Sequence, residues 1–284
     1  MSDPGTADNR PLLAGVIGWP VAHSRSPLIF AHWFAETGLD GAYVRLATRP
    51  EDFAQVFRAL PKAGFRGVNV TIPHKVTALE LADSASPAAR AIGAANTIRF
   101  DADGQIHADN TDGYGFIENL RDGAPTWNPG AGPALVLGAG GASRAVIHAL
   151  LDAGAPVIRL TNRSRDRAEA LAAHFGPRIV LVDWAARDTA TGDATTIVNT
   201  TSLGMTGKPP LELALNDAPA TALVTDIVYA PLETPLLAAA RVRNLATVDG
   251  LGMLLHQARP GFRAWFGVSP TVTPALRRAV LGGG

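Results

Sequence analysis

The chain has 284 residues, of which 47% are hydrophobic and 18% charged, and its formal net charge is zero. A domain typically has roughly 100–200 residues, so this length predicts two compact units, each with its own core. The hydrophobic fraction and balanced charge argue against a disordered chain, a nucleic-acid-binding stripe and a membrane-surface patch. We therefore expect a small-molecule partner, with no nucleic acid and no membrane.

Several kinds of site are excluded by the residues that are missing. Cysteine is absent, which rules out disulfides, thiolate metal ligands and cysteine nucleophiles. The seven histidines are scattered, without helical i, i+4 pairs or neighbouring carboxylates, so no metal is expected. Residues 1–10 are polar and lack the apolar core of a signal peptide, and no apolar run approaches the roughly 20 residues of a membrane-spanning helix. These features predict a soluble cytoplasmic protein.

The first part of the chain has the pattern of an α/β domain. Apolar runs rich in Val, Ile and Leu alternate with segments of helical spacing, which predicts a mainly parallel sheet. Strands are predicted at 12–18, 42–47, 67–71, 95–100 and 105–108, and helices near Ser26, Glu51, Lys75 and Asp112. Because Pro27 follows it, Ser26 is expected to cap its helix.

A Pro- and Gly-rich stretch at 124–133 places the domain junction there or just before it. Beyond this stretch the pattern restarts as a Rossmann-like unit. Its predicted strands are 134–137, 157–161, 179–182, 196–199, 223–228 and 246–248. The apolar tail from Leu251 has helical spacing, and its periodicity leaves open which domain it packs on.

A Gly-rich turn stands between the first strand and first helix of this unit. Residues 138–144 read Gly-Ala-Gly-Gly-Ala-Ser-Arg, a setting in which backbone N–H groups and a helix N-terminus hold a pyrophosphate. Ser143 replaces the third glycine of the usual fingerprint. A tight turn without any ligand is the alternative.

The end of the next strand indicates which dinucleotide is bound. An NAD site usually offers an acid there to the ribose 2′-hydroxyl, but this chain has Asn162, Arg163 and Ser164. Arg163 can lie against the adenine and pair with a 2′-phosphate, helped by its two neighbours and by Arg167, which favours NADP. The alternative is that these arginines belong to a solvated helix start.

Three clusters in the first part carry polar groups to strand or helix ends. Ser24 and Ser26 stand where a helix begins and could hold an anion. Lys75 begins a helix, where the macrodipole disfavours cations, so an anionic neighbour or a catalytic task is expected. Asp112 lies in an Asn-Thr-Asp-Gly string and could supply a carboxylate for Lys75. Taken singly, each of these residues has an alternative explanation: Ser26 as a helix cap, Lys75 as a surface lysine and Asp112 as a turn residue.

Together these strings resemble the shikimate dehydrogenase family, in order from about Leu13 to Gln257. Matching strings stand at 18–20, 24–27, 69–75, 93–97, 110–113, 138–144, 162–164, 199–205, 226–229 and 249–257. One departure is visible: the family often has His-Asn where this chain has Phe30-Ala31, which bears on helix packing more than on chemistry.

The resemblance implies roles for individual residues. Lys75 and Asp112 would be the catalytic pair, Lys75 moving the proton of the 3-hydroxyl while hydride passes to nicotinamide. The residues implied to bind substrate are Ser24, Ser26, Thr71, Asn96, Tyr229 and Gln257. The residues implied to bind NADP are Gly138, Ala139, Gly140, Gly141, Ala142, Asn162, Arg163, Ser164, Arg167, Met205, Ile227 and Gly250. Gly250 is expected to let the nicotinamide approach closely.

The resemblance also implies the domain plan. Residues 1–111, completed by 251–284, would bind substrate, and residues 112–250 would bind NADP, with the active site in a cleft between them that closes to exclude water. The assembly is expected to be a monomer or a homodimer. The implied reaction is the reversible NADPH-dependent reduction of 3-dehydroshikimate to shikimate in aromatic amino-acid biosynthesis.

Three alternatives remain open from the sequence. A quinate or quinate/shikimate dehydrogenase shares the architecture but often uses NAD, which the string at 162–164 argues against. A catalytically silent regulator or NADP sensor should have lost Lys75, Asp112 or the glycine turn, and all three are present. A folate-linked two-domain dehydrogenase would leave the strings at 18–27 and 249–257 unexplained.

Overall fold

The computed structural model describes residues 11–282, so the features expected of residues 1–10 lie outside it. The described chain forms two compact units, residues 11–111 with 258–282, and residues 112–257. Helix α9 (Leu251–Phe266) starts where the returning tail was predicted to start, and the boundary between the units falls inside it, after Gln257. None of the helices in residues 11–282 has the length and apolar character needed to cross a membrane.

The first unit is built on a six-stranded sheet with helices around it. Its strands are β1 (Leu12–Gly18), β2 (Gly41–Ala47), β3 (Gly67–Val70), β4 (Ser84–Ala85), β5 (Thr97–Phe100) and β6 (Ile106–Asp109). Its helices are α1 (Ser26–Thr37), α2 (Phe53–Ala59), α3 (Lys75–Glu80), α4 (Pro87–Ile92), the end of α9, and α10 (Pro274–Gly282). The strand order is β2-β1-β3-β5-β6-β4, and only β5 runs antiparallel to its neighbours.

The second unit is a parallel sheet with helices. Its elements in chain order are α5 (Asp112–Gly123), β7 (Ala134–Leu137), α6 (Gly141–Asp152), β8 (Ile158–Thr161), α7 (Arg165–Phe175), β9 (Ile179–Val182), β10 (Thr196–Asn199), β11 (Leu223–Asp226), α8 (Pro235–Val242) and β12 (Ala246–Val248). The strand order β12-β11-β10-β7-β8-β9 is that of a Rossmann fold. The predicted α/β class and Rossmann-like unit are therefore confirmed.

Side-chain alternation along the strands of the second unit explains its two-sided core. Val136 and Val198 pack with α5 and α6 on one face of the sheet, whereas Leu135 and Ile197 pack toward α8 on the other. Successive side chains of a strand point to opposite faces, so a strand covered on both faces must be apolar throughout. The continuous apolar runs of the sequence have this cause.

Two helices of the first unit begin at a Ser-Pro dipeptide, and the two serines have different roles. Ser86 caps α4, its hydroxyl accepting from the backbone N–H of Ala89 at 3.0 Å. Ser26 was predicted to cap α1 in the same way, and this prediction is wrong. The cap is Arg25, which already has a helical conformation, so Ser26 is the first helical residue and its hydroxyl is not used as a cap.

Phe30, which stands where the family often has histidine, lies at the centre of an aromatic cluster in the first unit. Its ring stacks on Tyr43 with centroids 3.8 Å apart and on Trp265 at 5.7 Å, and Phe262 lies at 5.7 Å. Phe30 and Phe262 are both fully buried. The cluster joins α1 to β2 and to the end of α9, so the departure from the family pattern is a packing feature.

We expect Phe30→Ala to lower the free energy of unfolding by about 3–5 kcal/mol, because the substitution leaves a cavity among rings that cannot close around it. Denaturant unfolding of the parent and the variant measures the change. Glu36→Ala, at an exposed position of the same helix, is the control and should change the free energy of unfolding by less than about 0.5 kcal/mol. A Phe30→Ala loss as small as that of the control would contradict the packing account.

Candidate active site

The carboxyl ends of β1 and β3 form the edge of the first unit at which the predicted substrate residues gather. Thr71 donates its N–H to Ile17 at 2.9 Å, and Trp19 donates its N–H to Ile72 at 3.0 Å. A Cβ at Gly18 would overlap the Thr71 side chain, so glycine is needed for the two segments to approach. Parallel pairing of β1 with β3 therefore brings the loop before α1 and the segment before α3 to one place.

The serine pair of that loop is partly engaged. Ser24 is half-buried, its hydroxyl accepts from the N–H of Ser26 at 3.4 Å, and its carbonyl accepts from Arg45 Nη2 at 2.6 Å. Ser26 is buried, and its side chain interacts with the Tyr43 hydroxyl. Burial raises the pKa of Tyr43 well above its ordinary value, although the interaction with Ser26 opposes the rise. Tyr43 thus stays a neutral hydroxyl behind the serine pair.

A buried polar network continues from Tyr43 across the sheet. The Tyr43 hydroxyl donates to Asn69 Oδ1 at 2.7 Å, and Asn69 Nδ2 donates to the Asn96 carbonyl at 3.2 Å and to Thr97 Oγ1 at 3.1 Å. Asn96 Oδ1 accepts from the N–H of Thr111 at 2.7 Å. The network links the serine loop to Asn96, one of the predicted substrate residues.

Sequence reasoning did not single out Tyr43, Asn69, Thr97 or Thr111. The available signal was Asn69, a polar residue inside an otherwise apolar strand. A buried amide must find partners, so its position alone indicates a network. The partners themselves lie on other strands and could not be read from its neighbours in the chain.

Lys75 is half-buried and is the first residue of α3. Its carbonyl accepts from the N–H of Ala95 at 2.8 Å, and the N–H of Val70 donates to the Asn96 carbonyl at 2.8 Å. These bonds hold the start of α3 beside the segment that carries Asn96. The structure therefore gathers five predicted residues of the first unit at one edge of its sheet: Ser24, Ser26, Thr71, Lys75 and Asn96.

In the second unit, the glycine turn between β7 and α6 leaves open space over a helix end. Gly138 has φ +112°, and a Cβ there would lie 2.6 Å from Thr200 Oγ1, so no other residue fits without strain. Gly140 and Gly141 have no atom within 4 Å of an added Cβ. No side chain caps α6, and its first N–H groups face this open turn. The turn, including Ala139 and Ala142, thus has the features of a pyrophosphate cradle.

The serine that replaces the third glycine has a structural role. Ser143 is fully buried, and its hydroxyl donates to the Gly140 carbonyl at 2.6 Å. Asn162 braces the same turn from β8, accepting from the N–H of Ala139 at 3.1 Å and donating to the Ser164 carbonyl at 2.7 Å. The Asn162 side chain therefore joins the glycine turn after β7 to the segment after β8.

The arginines after β8 differ in their surroundings. Arg165 pairs with Glu169 at 2.9 Å and with Asp183, whereas Arg163 and Arg167 are exposed and have no hydrogen-bond or ion-pair partner among the described residues. Arg163 borders a concavity of about 150 Å³ that is also lined by Leu181 and Trp184. The guanidinium groups of Arg163 and Arg167 are thus available for an anion, and that of Arg163 lies at the concavity.

The residues predicted to lie near the nicotinamide follow neighbouring strands. Met205 is 40% exposed in the loop after β10, and Ile227 and Tyr229 are half-buried after β11. An added Cβ at Gly250 would lie 2.6 Å from the Val228 carbonyl oxygen, and closer still to that of Ile227. Gly250 must therefore be glycine because the chain after β11 passes so close to it. A contact between Gly250 and the nicotinamide stays a prediction.

Asp112 and Gln257 lie on helices that touch each other within the second unit. Asp112 is the half-buried first residue of α5, and a Cβ at Gly115 of that helix would lie 2.6 Å from the Gln257 Cβ. Gln257 is buried, and its Nε2 donates to the Leu254 carbonyl at 3.0 Å. The first turn of α5 is thus held beside Gln257. Within residues 11–282, no three histidine or carboxylate side chains are grouped so that they could hold a metal ion.

Comparisons with known proteins agree with both units. Residues 16–98 match the family model described as the shikimate dehydrogenase substrate binding domain, and residues 130–205 match that of shikimate / quinate 5-dehydrogenase. The chain is 61% identical over 269 residues to the shikimate dehydrogenase (NADP(+)) of Dinoroseobacter shibae, covering 95% of this chain and 97% of that protein.

Two solved structures have the same fold over almost the whole chain. The shikimate 5-dehydrogenase of Thermus thermophilus in complex with NADP(H) and shikimate is 38% identical, with a TM-score of 0.84 and coverage of 95% and 98%. The quinate dehydrogenase of Corynebacterium glutamicum in complex with NAD is 32% identical, with a TM-score of 0.89 and coverage of 96% and 100%. The chain belongs to the shikimate dehydrogenase family.

Proposed function

We propose that this chain catalyses the reversible NADPH-dependent reduction of 3-dehydroshikimate to shikimate, a step of chorismate and aromatic amino-acid biosynthesis. The observation that supports it most is the 61% identity, over 95% of the chain, to the Dinoroseobacter shibae relative, whose name gives both the activity and the cofactor. The gathering of hydroxyl, amide and ammonium groups at the carboxyl edge of the first sheet agrees with a polyhydroxylated acid as substrate.

In this proposal, the substrate carboxylate lies at the start of α1. Ser24 and Ser26 offer hydroxyl groups there, and a carboxylate is stabilised by such donors at a helix start. Thr71, Asn96 and Gln257 would bond the ring hydroxyls, and Tyr229 would contribute from the loop after β11. Each of these side chains has the donor or acceptor that its role needs.

Lys75 and Asp112 form the proposed catalytic pair. In the reducing direction, the Lys75 ammonium gives a proton to the carbonyl oxygen at C3 as that carbon gains hydride. In the oxidising direction, neutral Lys75 takes the proton of the 3-hydroxyl. The Asp112 carboxylate would orient the Lys75 side chain and balance its charge. When bound, NADPH supplies the hydride.

The second unit would hold NADP at the carboxyl ends of its strands. The open turn at Gly140 and Gly141 would take the pyrophosphate, and Arg163 would lie on the adenine and bond the 2′-phosphate. Arg167, Asn162 and Ser164 would add donors to the same phosphate. Met205, Ile227 and Gly250 would border the nicotinamide.

The test is a set of four initial-rate assays in which shikimate or quinate is combined with NADP or NAD and reduced nicotinamide is followed by absorbance. We expect shikimate with NADP to give the highest kcat/KM, because the chain has unpartnered arginines rather than an acid at the ribose end. Faster turnover of quinate with NAD than of shikimate with NADP would contradict the proposal.

A quinate dehydrogenase is the second candidate, and the TM-score of 0.89 to the Corynebacterium glutamicum enzyme favours it. That relative is bound to NAD, whereas this chain is more similar in sequence to proteins named for NADP. A catalytically silent regulator, the third candidate, would give no turnover in any of the four assays.

Residues 1–111 with 251–284 would form the substrate domain, and residues 112–250 the NADP domain. We expect a cytoplasmic protein that is a monomer or a homodimer. Light scattering coupled to size-exclusion chromatography distinguishes these two assemblies.

A further inference from the structure

A buried carboxylate joins the two loops that carry the proposed nicotinamide residues. Asp226 ends β11 and is only 1% exposed, and Asn199 stands opposite it at the end of β10. The loop after β10 leads to Met205, and the chain after β11 leads to Ile227 and Tyr229. Any contact between the two strand ends therefore sets the spacing of these loops.

The Asp226 carboxylate is an acceptor for several donors. Asn199 Nδ2 lies 3.0 and 3.1 Å from its two oxygens, the N–H of Val228 donates at 2.9 Å, and Thr234 Oγ1 donates at 2.8 Å. The Val228 bond folds the chain directly after β11, and the Thr234 bond closes the loop that contains Tyr229. Asp226 thus fixes both ends of that loop.

Asn199 extends the same connection into the other loop. Its Oδ1 accepts from the N–H of Thr201 at 2.9 Å and from Thr201 Oγ1 at 2.7 Å, and its Nδ2 also donates to the Leu203 carbonyl at 3.0 Å. Gly250, two residues after the end of β12, packs directly on Ile227 and Val228. The two strand ends and their loops are therefore held together through two side chains.

The buried carboxyl group of Asp226 is not explained by folding needs alone. No cation among the described residues pairs with it, and burial raises its pKa although three hydrogen-bond partners oppose the rise. A buried, uncompensated carboxylate disfavours folding compared with an apolar side chain of similar size. At this place both carboxyl oxygens of Asp226 have two neighbouring donors, Asn199 and Val228 at Oδ1 and Asn199 and Thr234 at Oδ2.

We infer that Asp226 is a positioning residue for hydride transfer, acting through Asn199 and Thr234 to fix the loops of Met205 and Tyr229 against the nicotinamide and the substrate. The inference rests on the proposed function, because it uses the proposed place of the nicotinamide. It assigns Asp226 no contact with either ligand.

The test compares Thr234→Val, which keeps the side-chain shape but removes one of the two donors to Asp226 Oδ2, with Thr234→Ser, which keeps the hydroxyl. We expect Thr234→Val to lower kcat with saturating shikimate and NADP by about tenfold or more, because small displacements at the reacting atoms have effects of this size or larger. Thr234→Ser should restore most of the lost rate. Both variants should bind adenosine 2′,5′-bisphosphate, which has no nicotinamide, within about twofold of the parent.

Several outcomes would overturn the inference. These are an unchanged kcat in Thr234→Val, equal losses of kcat in both variants, or a loss of bisphosphate binding in parallel with kcat, which would indicate a merely structural role. If Thr234→Val does not fold, the same comparison is made with Thr201→Val and Thr201→Ser, which address the same network from the other loop. Failure of the proposed function can be distinguished from failure of this inference, because the parent protein would then not oxidise shikimate.

Discussion

Lys75→Ala is expected to lower kcat for shikimate oxidation by about a hundredfold or more, because general acid/base catalysis contributes about 10²–10⁴-fold. The substitution removes the proposed proton carrier and leaves the start of α3 intact. The backbone bond from Ala95 does not involve the side chain, and alanine is a good helix former. Steady-state kinetics with saturating NADP measure the change.

Two measurements make this result specific. Lys62→Ala, at an exposed lysine of the same unit, should leave kcat within about twofold of the parent, since surface substitutions have small effects. Binding of adenosine 2′,5′-bisphosphate to Lys75→Ala should also be unchanged, because Lys75 has no role in holding the cofactor in this account. A near-normal kcat in Lys75→Ala would remove the residue from the mechanism.

Arg163→Ala is expected to weaken NADP binding by about tenfold to a hundredfold, because hydrogen bonds to charged groups contribute about 1.5–3 kcal/mol. NAD has no 2′-phosphate, so its binding should change much less, and the preference for NADP over NAD should fall. Titration of each dinucleotide by calorimetry or by fluorescence measures both affinities. An equal loss of affinity for NAD and NADP would mean that Arg163 contacts the adenine and does not bind the 2′-phosphate.

The structure offers a matched control two residues away. Arg165 has the same charge and also lines the concavity beside Arg163, but its guanidinium is held by Glu169 and Asp183. The same acceptor bonds raise the pKa of this exposed arginine, so it stays fully charged and paired. Arg165→Ala should therefore leave NADP affinity within about threefold of the parent. A loss of NADP affinity as large as that of Arg163→Ala would contradict this account. It would show that an existing ion pair does not prevent an arginine at this concavity from binding the 2′-phosphate.

Much of the second unit could be predicted from sequence because its signals are local. Strands β7, β9, β10 and β12 begin and end where they were predicted, since each is a short apolar run bounded by turn residues. The glycine turn is equally local, because the positive φ of Gly138 requires glycine and a side chain at Gly140 would fill the open space. Periodicity and turn chemistry are sufficient for such elements.

The polar networks could not be predicted, because their partners are far apart in the chain. Tyr43 bonds Asn69 across two strand pairings, and Asp226 bonds Asn199 from the neighbouring strand. The sequence string that contains Asp226 is one of those that together resemble the family, but it gave no indication that its carboxylate is buried. Ser26 and Ser86 make the same point. Both stand in Ser-Pro dipeptides at helix starts, but Ser86 is extended and caps its helix, whereas Ser26 already belongs to the helix that follows Arg25.

The most direct test of the central claim follows the hydride itself. 3-Dehydroshikimate is reduced with NADPH that carries deuterium at C4 of the nicotinamide, in separate reactions for the two faces of the ring, and the product is analysed by mass spectrometry and NMR. The account predicts that one of the two labelled cofactors gives shikimate with a single deuterium at C3. Shikimate without label from both cofactors, or no shikimate at all, would contradict it.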